Sequence, residues 1–150
     1  MRALLQRVSR SSVSVDERCL AKIGPGLVIL LGIGHGDSTE QARQMVEKIT
    51  NLRIFEDDQG KMNRSILDAH GEAIVVSQFT LYANTRGGRR PSFIEAALPE
   101  VARPLVDSFA GLMAQAGVPT QTGEFAARMM VELVNDGPVT IWLEIPPANQ

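Results

Sequence analysis

Two stretches of the chain are apolar without alternation. Leu27 to Ile33 is one, and Ala73 to Leu81 opens with another. Such runs predict strands covered on both faces. Elsewhere the pattern alternates: Val13 and Val15 against Ser12 and Ser14 predict a strand over 12–16, next to another over 1–8. A turn at Asp16-Glu17-Arg18 leads to a strand near 19–23, and Gly24-Pro25-Gly26 is a second turn. Ala42, Met45, Val46, Ile49 and Leu52 recur at helical spacing after Ser38, with Gln41 placed to complete a capping box, so 39–52 reads as an amphipathic helix. Asp57-Asp58-Gln59-Gly60 is a turn. A second helix starts at Pro99, which suits a first turn. Its apolar face is Val101, Leu105, Phe109, Leu112 and Met113, and Gly117 ends it. Val118 to Gln121 reads as a short strand. Met129–Val134 and Val139–Ile145 read as strands on either side of an Asn-Asp-Gly-Pro corner, with a tail from Pro146. Strand–helix–strand units favour parallel pairing in the middle. The expectation is a single α/β domain over 1–150, a mixed sheet with helices on one side, and an α/β/β arrangement if the C-terminal hairpin adds a further β layer.

Composition narrows this only slightly. A chain of 150 residues with 44% hydrophobic and 21% charged side chains fits one soluble core. No apolar run is long enough to span a bilayer, and the start, MRALLQRVSRSS, is too short in apolar residues for a signal peptide. Cys19 is the single cysteine, so no internal disulfide forms and a cytoplasmic location is expected. Two isolated histidines, His35 and His70, do not make a zinc site, and neither metal nor cofactor is expected. His35, between glycines, could be a general base or an exposed loop residue.

Charge is unevenly placed. The net charge is −2, with twelve arginines to three lysines. Arg2, Arg7 and Arg10 fall in the first fifteen residues and Arg86, Arg89 and Arg90 in 73–94, and neither segment holds an acid. Should they meet, they would form a local anion-binding surface on an acidic body. The alternative is a solvated loop.

Two strings carry candidate chemistry. Ser77-Gln78-Phe79-Thr80 sits where a buried strand ends, which is where ligands bind in open sheets. Hydroxyls and backbone N–H groups there can hold a carbonyl and the oxyanion it becomes. Thr80 could be a nucleophile, but it would need a base and none is near in sequence. Asn135-Asp136-Gly137-Pro138 is either a plain hairpin turn or a rigid pair of backbone carbonyls aimed at a ligand; an X-Pro bond is the kind that adopts cis at modest cost.

The two strings occur together with Arg53-Ile54-Phe55, Gly60-Lys61-Met62-Asn63, Arg90-Pro91-Ser92-Phe93, Thr122-Gly123-x-Phe125 and the start from Met1 to Val8. On these pieces the chain resembles, nearly end to end, the D-aminoacyl-tRNA deacylase family. It departs from the pattern in the Gly34-His35-Gly36 loop and in the make-up of the arginine loop. The resemblance implies a homodimer that hydrolyses the ester of D-aminoacyl-tRNA, and glycyl-tRNA as well. It implies a cis Gly137-Pro138 bond reaching the partner's pocket, so that each site joins Ser77, Gln78, Phe79 and Thr80 of one chain to Gly137 and Pro138 of the other. Asn135 and Arg7 would support that corner, and Arg86, Arg89 and Arg90 would contact tRNA phosphates. Two alternatives remain: a non-enzymatic nucleic-acid-binding protein working through the arginine loop, and a threonine hydrolase of small esters.

Overall fold

The computed structural model describes residues 1–148. Its elements are β1 (Arg2–Val15), β2 (Arg18–Ile23), β3 (Gly26–Gly32), α1 (Thr39–Asn51), β4 (Phe55–Glu56), β5 (Met62–Arg64), β6 (Glu72–Ser77), α2 (Pro99–Gln115), β7 (Thr120–Thr122) and β8 (Met130–Glu144). A 3₁₀ turn over Phe79–Tyr82 follows β6.

One six-stranded sheet runs β2-β1-β3-β6-β7, with β8 on the other edge of β1. The β3–β6 and β6–β7 pairs are parallel and the rest antiparallel. Both helices cover one face. Met45 and Ile49 of α1 and Val106, Phe109 and Met113 of α2 are buried with Leu5, Leu27, Ile29, Leu31 and Val75 of the sheet. Strand alternation sends Val28, Ile74 and Val76 to the opposite face. There they meet Val8 and Val13 of β1 and Ala21 and Ile23 of β2 in a second cluster. The sheet therefore curls over itself. Gln121 of β7 stitches it nearly shut, its side chain accepting from the Lys22 N–H and donating to the Lys22 carbonyl.

The structure corrects several expectations. The first two strands are one fourteen-residue strand, because Ser9-Arg10-Ser11, though polar, stays within the ladder to β8 across a register shift. The strand anticipated over 73–81 stops at Ser77, where the chain coils into the 3₁₀ turn. The C-terminal strands are one element, β8, which belongs to the main sheet through β1 and not to a separate sheet. Val101 faces solvent on α2, and Ala102 and Val106 face inward in its place. The β4–β5 hairpin around Asp57–Gly60 is an element that the pattern left as a turn. The capping box at Ser38 and Gln41 is formed.

The parallel pairing of β3 and β6 depends on a bare backbone at Gly26. A Cβ there would lie 1.8 Å from the Glu72 carbonyl oxygen and 2.7 Å from the Glu72 carbonyl carbon and nitrogen. Backbone cannot step aside as a flexible side chain can. Gly26→Ala is expected to cost about 3 kcal/mol or more, at the upper end of overpacking penalties. A urea midpoint unchanged from wild type would refute the close approach.

Candidate active site

β3 and β6 run side by side and end together, and a cavity of about 580 Å³ opens beyond their carboxyl ends. Ser77, Gln78 and Phe79 line it from the strand end and the 3₁₀ turn; Phe93, Phe125 and Met129 line it from loops opposite. The space exists because α2 and the segment before it present alanines, Ala96, Ala97 and Ala102, where larger residues would fill it. Phe79 and Phe93 meet edge to face, with ring centroids 5.1 Å apart. Such a contact fixes both rings beyond simple burial, although Phe79 is 58% exposed.

The lining contains no histidine, lysine, arginine or acid. Its polar groups are concentrated at Ser77 and Gln78. Thr80 lies outside the lining and is exposed, with Gln78 Nε2 hydrogen-bonded to its hydroxyl. His35 is exposed too, its ring nitrogen 2.8 Å from the Ile94 carbonyl. No side chain in the cavity is therefore a conventional general base. The first N–H groups of a helical turn have no partner within it, which leaves those of Phe79 and Thr80 as donors at the strand end.

The second string is a braced corner within β8. Its ladder to β1 skips from Asn135↔Val8 to Thr140↔Gln6, and the residues between bulge out. The Gly137–Pro138 bond is cis, as the resemblance implies, and Gly137 has φ +136. Asn135 closes the bulge: its Oδ1 accepts the Val139 N–H at 3.1 Å, and its Nδ2 donates to Thr140 Oγ1 at 2.9 Å. Arg7 supports it from beneath. Only 5% exposed, it donates from Nε to the Asp136 carbonyl at 3.0 Å and from Nη1 to the Ile54 carbonyl at 2.8 Å. Glu56 and Asp136 carboxylates stand 3.6 and 3.7 Å from its nitrogens. Asp136, Gly137 and Pro138 are themselves exposed.

Of the three arginines of the first segment, Arg10 is exposed on β1 and the other two are engaged within the fold. Arg7 is engaged inside the fold. Arg2 donates to Glu144 at 2.8 Å and to the Leu81 carbonyl and lies over the Tyr82 ring, and the Glu144 hydrogen bond raises its pKa. Arg86, Arg89 and Arg90 are exposed on the loop closed by the Asn84–Ser92 bridge. The strand-end string and the Gly-Pro corner do not share a cavity within one chain, since none of Arg7, Asn135, Gly137 and Pro138 lines it.

The sequence reading did not single out Phe93 and Phe125 as site residues, although both lie in the pieces that carry the resemblance. It also passed over Asp37, for which the chain carries no signal. The Asp37 carboxylate is fully buried. It accepts from the Met1 ammonium at 2.6 Å and from the Gly34 N–H at 2.7 Å. Burial, and then this carboxylate, push the nearby Tyr82 hydroxyl well above its usual pKa. The cluster ties the start of β1 to the loop after β3 and to the 3₁₀ turn that carries Phe79.

The fold is thus a curled mixed sheet with two helices on one face and an apolar cavity at its strand ends. A family model described as D-Tyr-tRNA(Tyr) deacylase matches residues 4–144, and the chain belongs to that family. It is 60% identical over 144 residues to a D-aminoacyl-tRNA deacylase of Thermomicrobium roseum, covering 96% of this chain and 94% of that one. It is 62% identical to a protein of the same name from Roseiflexus sp. (strain RS-1), covering 96% and 93%. Among solved structures, one described as c-Myc DNA Unwinding Element Binding Protein superimposes with a TM-score of 0.92 at 42% identity, covering 97% of this chain and 99% of that one.

Proposed function

We propose that the protein hydrolyses the ester of D-aminoacyl-tRNA, releasing free D-amino acid and tRNA. The observation that carries this reading is the cavity. It is apolar, suited to a nucleoside, and has its polar groups at Ser77 and Gln78 and no base in its walls. Chemistry without a protein base fits a substrate that brings its own hydroxyl. The 2′-hydroxyl of the terminal ribose then helps to activate water, and the N–H groups of Phe79 and Thr80 stabilise the oxyanion. The names of the relatives point the same way.

Chirality is read by the Gly137-Pro138 corner of a partner subunit in a homodimer. A D-amino acid turns its small substituents toward the corner carbonyls. An L-amino acid would drive its side chain into them, and rejection by clash needs no recognition of the side chain. Glycine has nothing to reject, so glycyl-tRNA is also a substrate. The dimer is supported by exposed Met130, Val131, Val134 and Trp142 on β8, the strand that carries the corner. In this assembly the helices, the β3–β6 region and the curled β1–β2–β8 region make the α/β/β layers. Arg86, Arg89 and Arg90 contact tRNA phosphates, and the location is the cytoplasm, where aminoacyl-tRNA is found.

Purified protein given D-tyrosyl-tRNA and L-tyrosyl-tRNA side by side should release tyrosine from the first and spare the second. Loss of both esters at equal rate would remove the chiral reading, and inertness toward both would remove the enzyme. A monomer by light scattering at micromolar concentration would undo the shared site. A second reading, nucleic-acid binding without turnover, is favoured by the DNA-binding name of the structure at 42% identity. It expects salt-sensitive binding to uncharged RNA or DNA, abolished by replacing Arg86, Arg89 and Arg90 with alanine. A threonine hydrolase is disfavoured by the exposure of Thr80. If Thr80→Ala abolished cleavage of a small ester that needs no tRNA, that third reading would return.

A further inference from the structure

The cavity walls carry no charge, yet a nucleotide that enters base first leaves its phosphate at the rim. Two rim arginines stand outside the 86–90 loop and have no role so far. Arg103 is exposed on α2, beside cavity-lining Ala102, and its guanidinium carbon lies 4.8 Å from the ring centroid of cavity-lining Phe125. Arg128 is exposed between Ala127 and Met129, which both line the cavity. Among the described residues neither has a carboxylate within 4.0 Å, whereas Arg2, Arg7 and Arg43 each do. The nearest acids in sequence are Glu100 and Asp107 on α2, Glu124 on the Phe125 loop and Glu132 on β8, and among the described residues they form no ion pair with either arginine.

We propose that Arg103, held over Phe125 and assisted by Arg128, binds a backbone phosphate of the tRNA acceptor strand as that strand leaves the cavity. This deepens, and rests on, the deacylase reading.

Three observations converge on it. Stacking on a ring fixes the plane of a guanidinium while its edge N–H groups stay free, and that fork matches phosphate oxygens. The ring itself is held firmly. Ala126, next to Phe125, has φ +64, a left-handed conformation unusual for a residue with a Cβ, and one that persists only where neighbours hold it. The holding bonds are present: Gly123 N–H to the Val75 carbonyl and Ala127 N–H to the Glu124 carbonyl, both 3.2 Å. Strain at a cavity wall is characteristic of ligand clamps. Finally, Ile94, Leu98 and Val101 stand exposed around the start of α2, at 80%, 58% and 45%, an apolar patch of the kind that marks an interaction surface.

The test compares wild type, Arg103→Gln and Arg103→Lys in two measurements. The first is binding of uncharged tRNA across a salt series. Arg103→Gln should weaken it about tenfold and flatten the slope of log K against log salt by about 0.7, the single-strand value for one phosphate. Arg103→Lys should restore part of both, since it keeps the charge and loses the fork. The second is the ratio of kcat/KM for D-tyrosyl-tRNA to that for D-tyrosyl-adenosine, which lacks the phosphate. That ratio should fall about tenfold in Arg103→Gln. Equal losses on the two substrates would mean that Arg103 only props Phe125, and unchanged tRNA binding would likewise overturn the proposal. Failure of the deacylase reading would look different: wild type would cleave neither ester, while an Arg103-dependent salt slope would still uphold the phosphate site.

Discussion

Gly137→Ala is expected to abolish most of the preference for D- over L-tyrosyl-tRNA while leaving the fold intact. A Cβ at Gly137 would fall 2.8 Å from Val139 Cγ2, 3.0 Å from the Val139 nitrogen and 3.3 Å from Arg7 Nη2. The first distance is shorter than real Cβ contacts, the second requires the Val139 backbone to give by a few tenths of an ångström, and φ +136 is itself a conformation that L side chains rarely adopt. The corner must therefore move. The bond most exposed to that movement is Val139 N–H to Asn135 Oδ1, which closes the bulge. Rejection by clash works only while the clashing atoms keep their place, and a shift near 1 Å can cost about a hundredfold in a positioned step. The corner is at the surface, so the cores on both faces of the sheet are not disturbed. The ratio of the two hydrolysis rates should fall by about a hundredfold with little change in the thermal midpoint. A preference equal to that of wild type would mean that the corner plays no part in reading chirality.

Arg7→Ala should do the opposite in kind, with a large loss of stability and a loss of selectivity as its consequence. The charged pairs with Glu56 and Asp136 contribute little, because both carboxylates are more than half exposed and screened. The hydrogen bonds decide the matter. Removing the guanidinium leaves the Ile54 carbonyl, buried beside it, with no donor, and frees the Asp136 carbonyl that positions the corner. One orphaned buried acceptor and a lost charged donor together cost about 3 kcal/mol. Urea unfolding should register this as a lower midpoint at unchanged slope. In a double mutant with Gly137→Ala the selectivity losses should be less than additive, because both act by displacing one corner. Full additivity would separate Arg7 from the corner.

What the sequence disclosed was whatever depends on neighbours along the chain. The α1 helix was legible with its capping box, because Ser38, Gln41 and the apolar spacing all lie within a few residues. β3 was legible because a strand covered on both faces needs no alternation. The Gly-Pro corner could be picked out as a proline between strand-like runs, the Ser77–Thr80 string as hydroxyl and amide side chains ending an apolar run, and the family could be recognised from their order. Periodicity failed where tertiary contact overrode it. Ser9-Arg10-Ser11 reads as a break, but β8 supplies the ladder that keeps β1 continuous. Gln78-Phe79-Thr80-Leu81 reads as more strand, but no ladder continues there: β7 pairs only as far as Val75, and the β3 ladder ends at the Leu31–Ser77 pair.

The site divides along the same line. That Arg7 and Asn135 support the corner follows from a register shift between β1 and β8, strands more than a hundred residues apart, and no local pattern encodes which arginine is buried and which is free. The same holds for the cavity. Its alanines look like ordinary helix and loop residues until the end of β6 is set opposite them. Local propensity and apolar spacing act over a few residues and are written in the chain. Which carbonyl an arginine reaches, and where a volume is left empty, depend on how distant segments pack, and only the folded chain brings those segments together.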